Sequence, residues 1–186
     1  MEIKAMANGE FLIKYENGKV SIDPQSSNDA NLTLYTKGDA KFKKGLSLDW
    51  PGEYEAENVL CTCIQILKDE KEHRVLSLEI EGFRVAFMGK LNTLIPDKII
   101  KNLSAVEILV LPLSMSVKDM QVLVEEIEPN VTLIVKDDSY KDSEGIVKYE
   151  KYLKILGQEN IEPLDSLKIK KKDDLETLNN FILLNV

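Results

Sequence analysis

Residues 106–135, VEILVLPLSMSVKDMQVLVEEIEPNVTLIV, contain the strongest fold signal in the chain. The segment opens with a nearly continuous apolar run, which is typical of a strand buried on both faces. Ser116 can cap a helix over residues 117–127, and Pro129 lies just beyond the end of that helix. A second apolar run, residues 131–135, follows. The segment therefore predicts a β-α-β unit.

The chain before this unit is almost wholly β in pattern. The turns at Asn17-Gly18 and Glu81-Gly82 predict two hairpins, since Asn-Gly and similar pairs favour tight connections between strands. Residues 49–54 are rich in turn formers. The predicted strands in this half cover residues 10–15, 19–22, 32–35, 59–67, 74–80 and 83–88.

Helical spacing returns downstream of residue 96. We predict helices over residues 97–103 and 146–156 and short strands over residues 164–169 and 181–184. The chain has hairpins in its first half and a β-α-β unit in its second half. This order indicates two mixed sheets with helices packed outside them, rather than a doubly wound sheet. At 186 residues the chain has the length of one domain, and we expect residues 1–186 to form a single unit.

Composition limits the partners. The net charge is −8, and a basic surface is needed to neutralise nucleic-acid phosphates, so we expect no nucleic-acid partner. Residues 168–172 are basic, but Asp173-Asp174 follow, which favours a solvated turn over a nucleic-acid or anionic-lipid patch. No apolar run approaches the roughly 20 residues of a membrane span, and the first residues lack a signal-peptide pattern. We expect a soluble, acidic, cytoplasmic protein without a membrane partner.

A distinctive motif is Trp50-Pro51-Gly52-Glu53-Tyr54-Glu55, which is followed by Val59 at the start of a predicted strand. This segment resembles the metallo-β-lactamase superfamily, in a branch similar to the ascorbate-phosphate lactonases. Other short matches occur in the same order at Asp23-Pro24, Met88-Gly89, Leu111-Pro112, Ile127-Glu128-Pro129 and Glu162-Pro163-Leu164. The resemblance covers nearly the whole chain. It implies an α/β (α+β) fold, a four-layer αββα sandwich with the active site at one edge between the sheets.

The same resemblance marks where metal ligands would stand. Enzymes of the superfamily hold one or two metal ions through a His-x-His-x-Asp-His loop, further histidines and a bridging Asp. This chain has one histidine, and protonated lysines have no lone pair to donate. The corresponding positions read Asn8, Lys37, Asp39, Lys41, Phe42, Lys68, Lys90 and Lys136. We therefore predict no catalytic residue, no bound metal and no cofactor. Decay into solvated loop residues is favoured over a lysine-lined anion site.

Three other candidates have simpler interpretations. His73 lies in a charged run and is expected in an exposed hairpin loop. Cys61 and Cys63 share one face of a strand, which favours buried small side chains over a disulfide or half of a metal site. The carboxylates of Asp137-Asp138 and Asp142 lack the spacing of a known Ca²⁺ or Mg²⁺ loop, so a solvated loop is favoured.

Three functional hypotheses remain open. The sequence favours a non-catalytic protein, a pseudoenzyme that serves as a protein-interaction or scaffold domain. The alternative is a metal-dependent hydrolase, lactonase-like or phosphodiesterase-like, with atypical ligands. A third is a subunit of an oligomer in which a catalytically inactive copy supports another. The possible partners are a protein, a second copy of the chain, or a small anion at the lysine-lined positions.

Overall fold

The structure, a computed structural model, describes residues 1–37, 45–68, 71–103 and 105–186, with the backbone alone at residues 68 and 71. Its strands are β1 (Glu2–Ala5), β2 (Phe11–Tyr15), β3 (Gly18–Ile22), β4 (Leu32–Leu34), β5 (Leu46–Leu48), β6 (Gly52–Ala56), β7 (Val59–Lys68), β8 (Lys71–Ile80), β9 (Phe83–Phe87), β10 (Ile108–Val110), β11 (Val131–Val135), β12 (Leu167–Lys168) and β13 (Phe181–Leu184). Its α-helices are α1 (Asp97–Asn102), α2 (Val117–Ile127), α3 (Lys148–Ile155) and α4 (Asp173–Thr177).

The described strands form two mixed sheets. One has the order β12-β1-β2-β3-β4-β5, and the other has the order β13-β11-β10-β9-β8-β7-β6. In the second sheet β9, β10, β11 and β13 run parallel to one another, whereas β6 to β9 form an antiparallel meander. Helix α1 connects β9 to β10 and helix α2 connects β10 to β11, whereas the chain from β11 to β13 passes through α3, β12 and α4. This is the arrangement that the alternation of hairpins and β-α-β patterns predicts.

The apolar side chains of the two sheets meet in one core. Phe11 of β2 and Phe87 of β9 pack edge to face, with ring centroids 5.2 Å apart, so they join the first sheet to the second. Parallel strands β10 and β11 are buried along their whole lengths, which explains why their sequences are continuous apolar runs.

Most predicted elements are confirmed within a few residues. Helix α2 begins and ends at the predicted residues, and the Ser116 side chain accepts a hydrogen bond from the Asp119 N–H, 3.1 Å away. Both hairpins are present, at β2-β3 and β8-β9. Cys61 and Cys63 are buried, unbridged neighbours on one face of β7. Burial first, and the neighbouring Cys63 second, raise the pKa of Cys61 to about 12.

Some predictions were wrong. The turn-rich segment continues into a strand, β6, because Gly52 to Ala56 pair with β7 at the sheet edge. His73 is not in a loop. It lies inside β8 opposite Ile66 and is half-buried, because β7 and β8 stay paired up to residues 68 and 71. The basic run itself is a solvated turn at residues 170–172, as predicted, but the short helix α4 that follows it was not predicted; the Asp174 carboxylate accepts the N–H groups of residues 170 and 171. None of the described helices is both long and apolar enough to cross a membrane.

Candidate functional site

A small cavity lies at the edge where the parallel strands of the second sheet end. Residues that follow β9, β10 and β11 meet residues of the first sheet there, because parallel strands present their carboxyl ends at the same edge. The cavity has a volume of about 50 Å³. Its apolar wall is formed by Phe11, Ile22, Phe87, Val110, Leu111, Pro112, Leu113 and Val135, and its polar wall by Asp23, Thr36, Lys90, Asp137 and Tyr140.

Asp23 is the central polar group of this cavity. It follows β3 with a positive φ of 50°, which turns its side chain away from the path of the strand. The Thr36 backbone N–H donates to one carboxylate oxygen at 2.8 Å, and the Thr36 hydroxyl donates to the other. Burial raises the pKa of Asp23, and the hydrogen bonds from Thr36 and the charges of Lys37 and Lys90 oppose that rise.

Lys90 reaches this cavity from the loop after β9. Its alkyl stem lies over Gly9, where an added Cβ would stand 3.3 Å from the lysine Cε. Its ammonium group is near enough to favour the charged form of Asp23. Lys90 therefore brings a positive charge into a cavity that also holds the half-buried carboxyl group of Asp23.

Gly89 brings the loop after β9 against the loop after β4. Its φ is 58°, and a Cβ added there would lie 2.6 Å from both Cβ and Oγ1 of Thr36. Such a distance is far inside normal contact, so a side chain at this position would displace Thr36. Because residue 89 has no side chain, Thr36 can occupy the place from which it donates hydrogen bonds to Asp23.

The opposite side of the cavity carries Asp137 and Tyr140. Asp137 accepts hydrogen bonds from the backbone N–H of Ser139 at 2.9 Å and from its hydroxyl at 2.6 Å. Burial first, and the charge of Asp137 second, raise the pKa of Tyr140. The phenol, which is protonated at neutral pH in any case, therefore stays protonated to a higher pH than an exposed tyrosine and can donate or accept a hydrogen bond.

The structure places four of the predicted metal-ligand positions near this edge, in different surroundings. Lys90 lines the cavity, and Lys37 is exposed, with its charge acting on Asp23. Asn8 and Lys136 are exposed and line a neighbouring surface depression together with Asp137. The predicted positions Asp39, Lys41 and Phe42 lie outside the described residues. Lys68 ends β7, and its side chain is likewise outside the description.

Most residues of the polar wall were not predicted as site residues. Asp23 entered only as part of an Asp-Pro match, although an acid directly after a buried strand is a signal of a site at a sheet edge. Thr36 gave no such signal, because its role depends on contact with residues distant in sequence. Asp137 was assigned to a solvated loop together with Asp138 and Asp142. Asp138 accepts from the Tyr149 hydroxyl, and Asp142 pairs with Lys151, so the three carboxylates have separate partners.

The residues of the cavity do not fit a catalytic metal of the kind the fold implies. Such an ion needs about three imidazole, thiolate or carboxylate ligands and an open position. The described cavity offers two carboxylates, of which Asp23 already accepts two hydrogen bonds, and an ammonium group that repels a cation. Across the described ranges, no group of three or more His, Cys, Asp or Glu side chains could hold a metal ion.

Comparisons with known proteins give similarity in structure alone. No protein-family model matches the chain, and no curated protein matches it in sequence. A protein from Thermotoga maritima assigned as a Zn-dependent hydrolase of the metallo-β-lactamase superfamily superposes with a TM-score of 0.83 at 14% identity, over 99% of this chain and 98% of that one. An isothiocyanate hydrolase from Delia radicum gut bacteria gives 0.63 at 11% identity, over 91% and 99%.

A third solved structure is similar to this chain over a smaller part of its length. The metallo-β-lactamase fold protein YhfI from Bacillus subtilis gives a TM-score of 0.54 at 8% identity, over 71% of this chain and 84% of that one. These identities are too low to carry over an activity, whereas the coverage and the paired mixed sheets define the architecture. The chain has the metallo-β-lactamase fold, a sandwich of two mixed β-sheets with accompanying helices.

Proposed function

We propose that this protein is a non-catalytic member of its fold class, a protein-interaction or scaffold domain that has given up metal-dependent hydrolysis. The observation that carries the proposal is the position of Lys90 in the cavity with Asp23. An ammonium group in that place supplies the positive charge that a metal ion would otherwise supply to the half-buried carboxylate of Asp23.

The distribution of potential ligands supports this proposal. The chain has one histidine, His73, and it lies inside β8 and is not among the residues that line the cavity. The two cysteines are buried in β7, and burial raises the pKa of both thiols, which disfavours the thiolate that binds zinc. Neither residue type is therefore available to complete a site around Asp23.

A second candidate function is supported by the structural neighbours. Two of the superposed proteins are named as hydrolases, and one of them matches nearly the full length of this chain. If this chain were a hydrolase, its metal would be held by Asp23, Asp137 and groups supplied from elsewhere. The two candidates differ in whether the purified protein holds metal.

Elemental analysis tests the proposal directly. The untagged protein is dialysed against buffer containing micromolar Zn²⁺ and Mn²⁺, and metal per chain is measured beside a known zinc enzyme treated in the same way. Less than about 0.1 metal ion per chain is expected. One or two tightly held ions, with hydrolysis of a lactone or phosphodiester that is lost in Asp23→Asn, would overturn the proposal and establish the second candidate.

A further inference from the structure

We propose that the groove between α2 and α3 is a binding site for a small organic polyphosphate, meaning a soluble molecule with two or more phosphoryl groups on a compact organic body. The groove has a volume of about 630 Å³, within the range of small-molecule sites. It is separate from the cavity around Asp23, and no described residue lines both. The inference therefore does not depend on the proposed function.

The charge of the groove is the opposite of the charge of the chain. Four lysines line it, Lys118, Lys141, Lys148 and Lys151, against the single carboxylate of Asp142. The chain as a whole carries −8. Because the chain as a whole is negative, a concave region lined by several lysines is a place where an anion can approach, and its walls concentrate the field.

Two of these lysines are held in place by the fold. The Lys148 ammonium donates to the carbonyl oxygens of Ser114 and Met115 at 3.2 and 3.1 Å, which leaves one of its three N–H groups for a ligand. Lys151 pairs with Asp142 and lies 3.5 Å from Glu144, so its charge is largely offset. Lys148 is thus the preorganised cation of the groove.

The remaining two lysines come from other elements. Lys118 belongs to the first turn of α2 and Lys141 to the loop before α3, and both are exposed. Three ammonium groups on three elements suit a ligand with several anionic oxygens better than a single carboxylate, and lysine is a common point-charge partner of phosphate. The hydroxyl of Ser143 adds a neutral donor.

The groove also has an apolar part, which favours an organic molecule over free phosphate. Val117 and Ile155 line it, and Ile155 is 50% exposed. An organic body attached to the phosphoryl groups would cover these side chains and gain from their burial. The concave shape fits a small molecule rather than the flat surface of a lipid bilayer.

Calorimetric titration with ADP and with inorganic tripolyphosphate, at low and at moderate salt, tests the site. We expect saturable binding of both probes that weakens with salt. The double variant Lys118→Gln/Lys141→Gln should raise the ADP Kd by at least about tenfold. Lys154→Gln is the control, because this exposed lysine lies on α3, one of the two helices beside the groove, but is not among the residues that line it. It should leave the Kd unchanged.

Three results would overturn the proposal. These are absence of binding at millimolar ADP and tripolyphosphate, equal weakening by the control variant, or binding to phosphatidylserine vesicles without binding to either soluble probe. Lys118 and Lys141 do not line the cavity around Asp23, so these variants should leave the metal content of the protein unchanged, and failure here and failure of the proposed function are distinguishable.

Discussion

Thr36 holds both carboxylate oxygens of Asp23, one through its backbone N–H and the other through its hydroxyl. Asp23 follows β3 and Thr36 follows β4, so the pair joins the ends of two neighbouring parallel strands. This contact fixes the carboxyl group at the cavity whether or not anything is bound there. It also makes the ionisation of Asp23 part of the stability of the fold.

The first prediction concerns pH. Burial raises the pKa of Asp23 above its ordinary value of 3.8 in the folded state, despite the opposing contacts. The stabilising contribution of the raised pKa is therefore fully present below 3.8 and lost as the pH rises through the folded pKa. Relative to the wild type, Asp23→Asn should gain stability as the pH increases from about 4 to 7. Urea unfolding of both proteins across that range measures this difference, and a difference that does not vary with pH would contradict it.

The second prediction concerns Gly89. Gly89→Ala should lower the free energy of unfolding by about 2 to 3 kcal/mol, because the new methyl group collides with Thr36 and the backbone is left-handed. Gly82→Ala is the control, since Gly82 has a φ of 79° but no described atom within 4 Å of an added Cβ. It should cost about 1 kcal/mol, from backbone strain alone. Equal losses in chemical denaturation would show that the contact with Thr36 is unimportant.

The third prediction compares two tyrosines of α3. Among the described residues the buried hydroxyl of Tyr152 finds no hydrogen-bond partner, whereas that of Tyr149 donates to Asp138 at 3.1 Å. Removing an unpaired buried hydroxyl relieves its desolvation penalty. Tyr152→Phe should therefore raise the free energy of unfolding by about 1 kcal/mol and Tyr149→Phe should lower it by about 1 kcal/mol. The reverse order in denaturant melts would refute this assignment.

The fourth prediction concerns chelation. If Lys90 takes the place of a metal, the folded protein gains nothing from a divalent ion, and a ligand that does not bind cannot shift the unfolding equilibrium. The melting temperature should stay within about 1 °C whether EDTA or Zn²⁺ is added. A fall of several degrees with EDTA, restored by Zn²⁺, would mean that the fold holds metal.

The local signals in the sequence predicted the fold well where structure depends on neighbouring residues. The Asn17-Gly18 and Glu81-Gly82 turns mark both hairpins, and Ser116 begins α2 where a capping residue should. Strand β1 was not predicted, because four residues of weak pattern become a strand only by pairing with β2 and with β12. Edge strand β6 is exposed and preceded by Pro51, so it lacks the apolar signal of an inner strand.

The candidate site was less predictable than the fold. The position of Lys90 at the site could be predicted from the sequence. Met88-Gly89 is one of the short matches to the family, and the residue that follows it stands where a metal ligand would be. The partnership of Asp23 with Thr36 could not, because it depends on two strands lying side by side and on the missing side chain of Gly89. Buried polar contacts of this type arise from tertiary packing, which periodicity does not encode.

The pairing of Ile3 with Leu167 has a consequence for biosynthesis. During translation β1 can pair with β2 early, but its outer edge stays open until residues 167 and 168 of β12 have been made. An open strand edge is a template for pairing with other chains. We expect nascent chains arrested before residue 167 to aggregate or to be captured by chaperones, whereas full-length chains have that edge covered by β12.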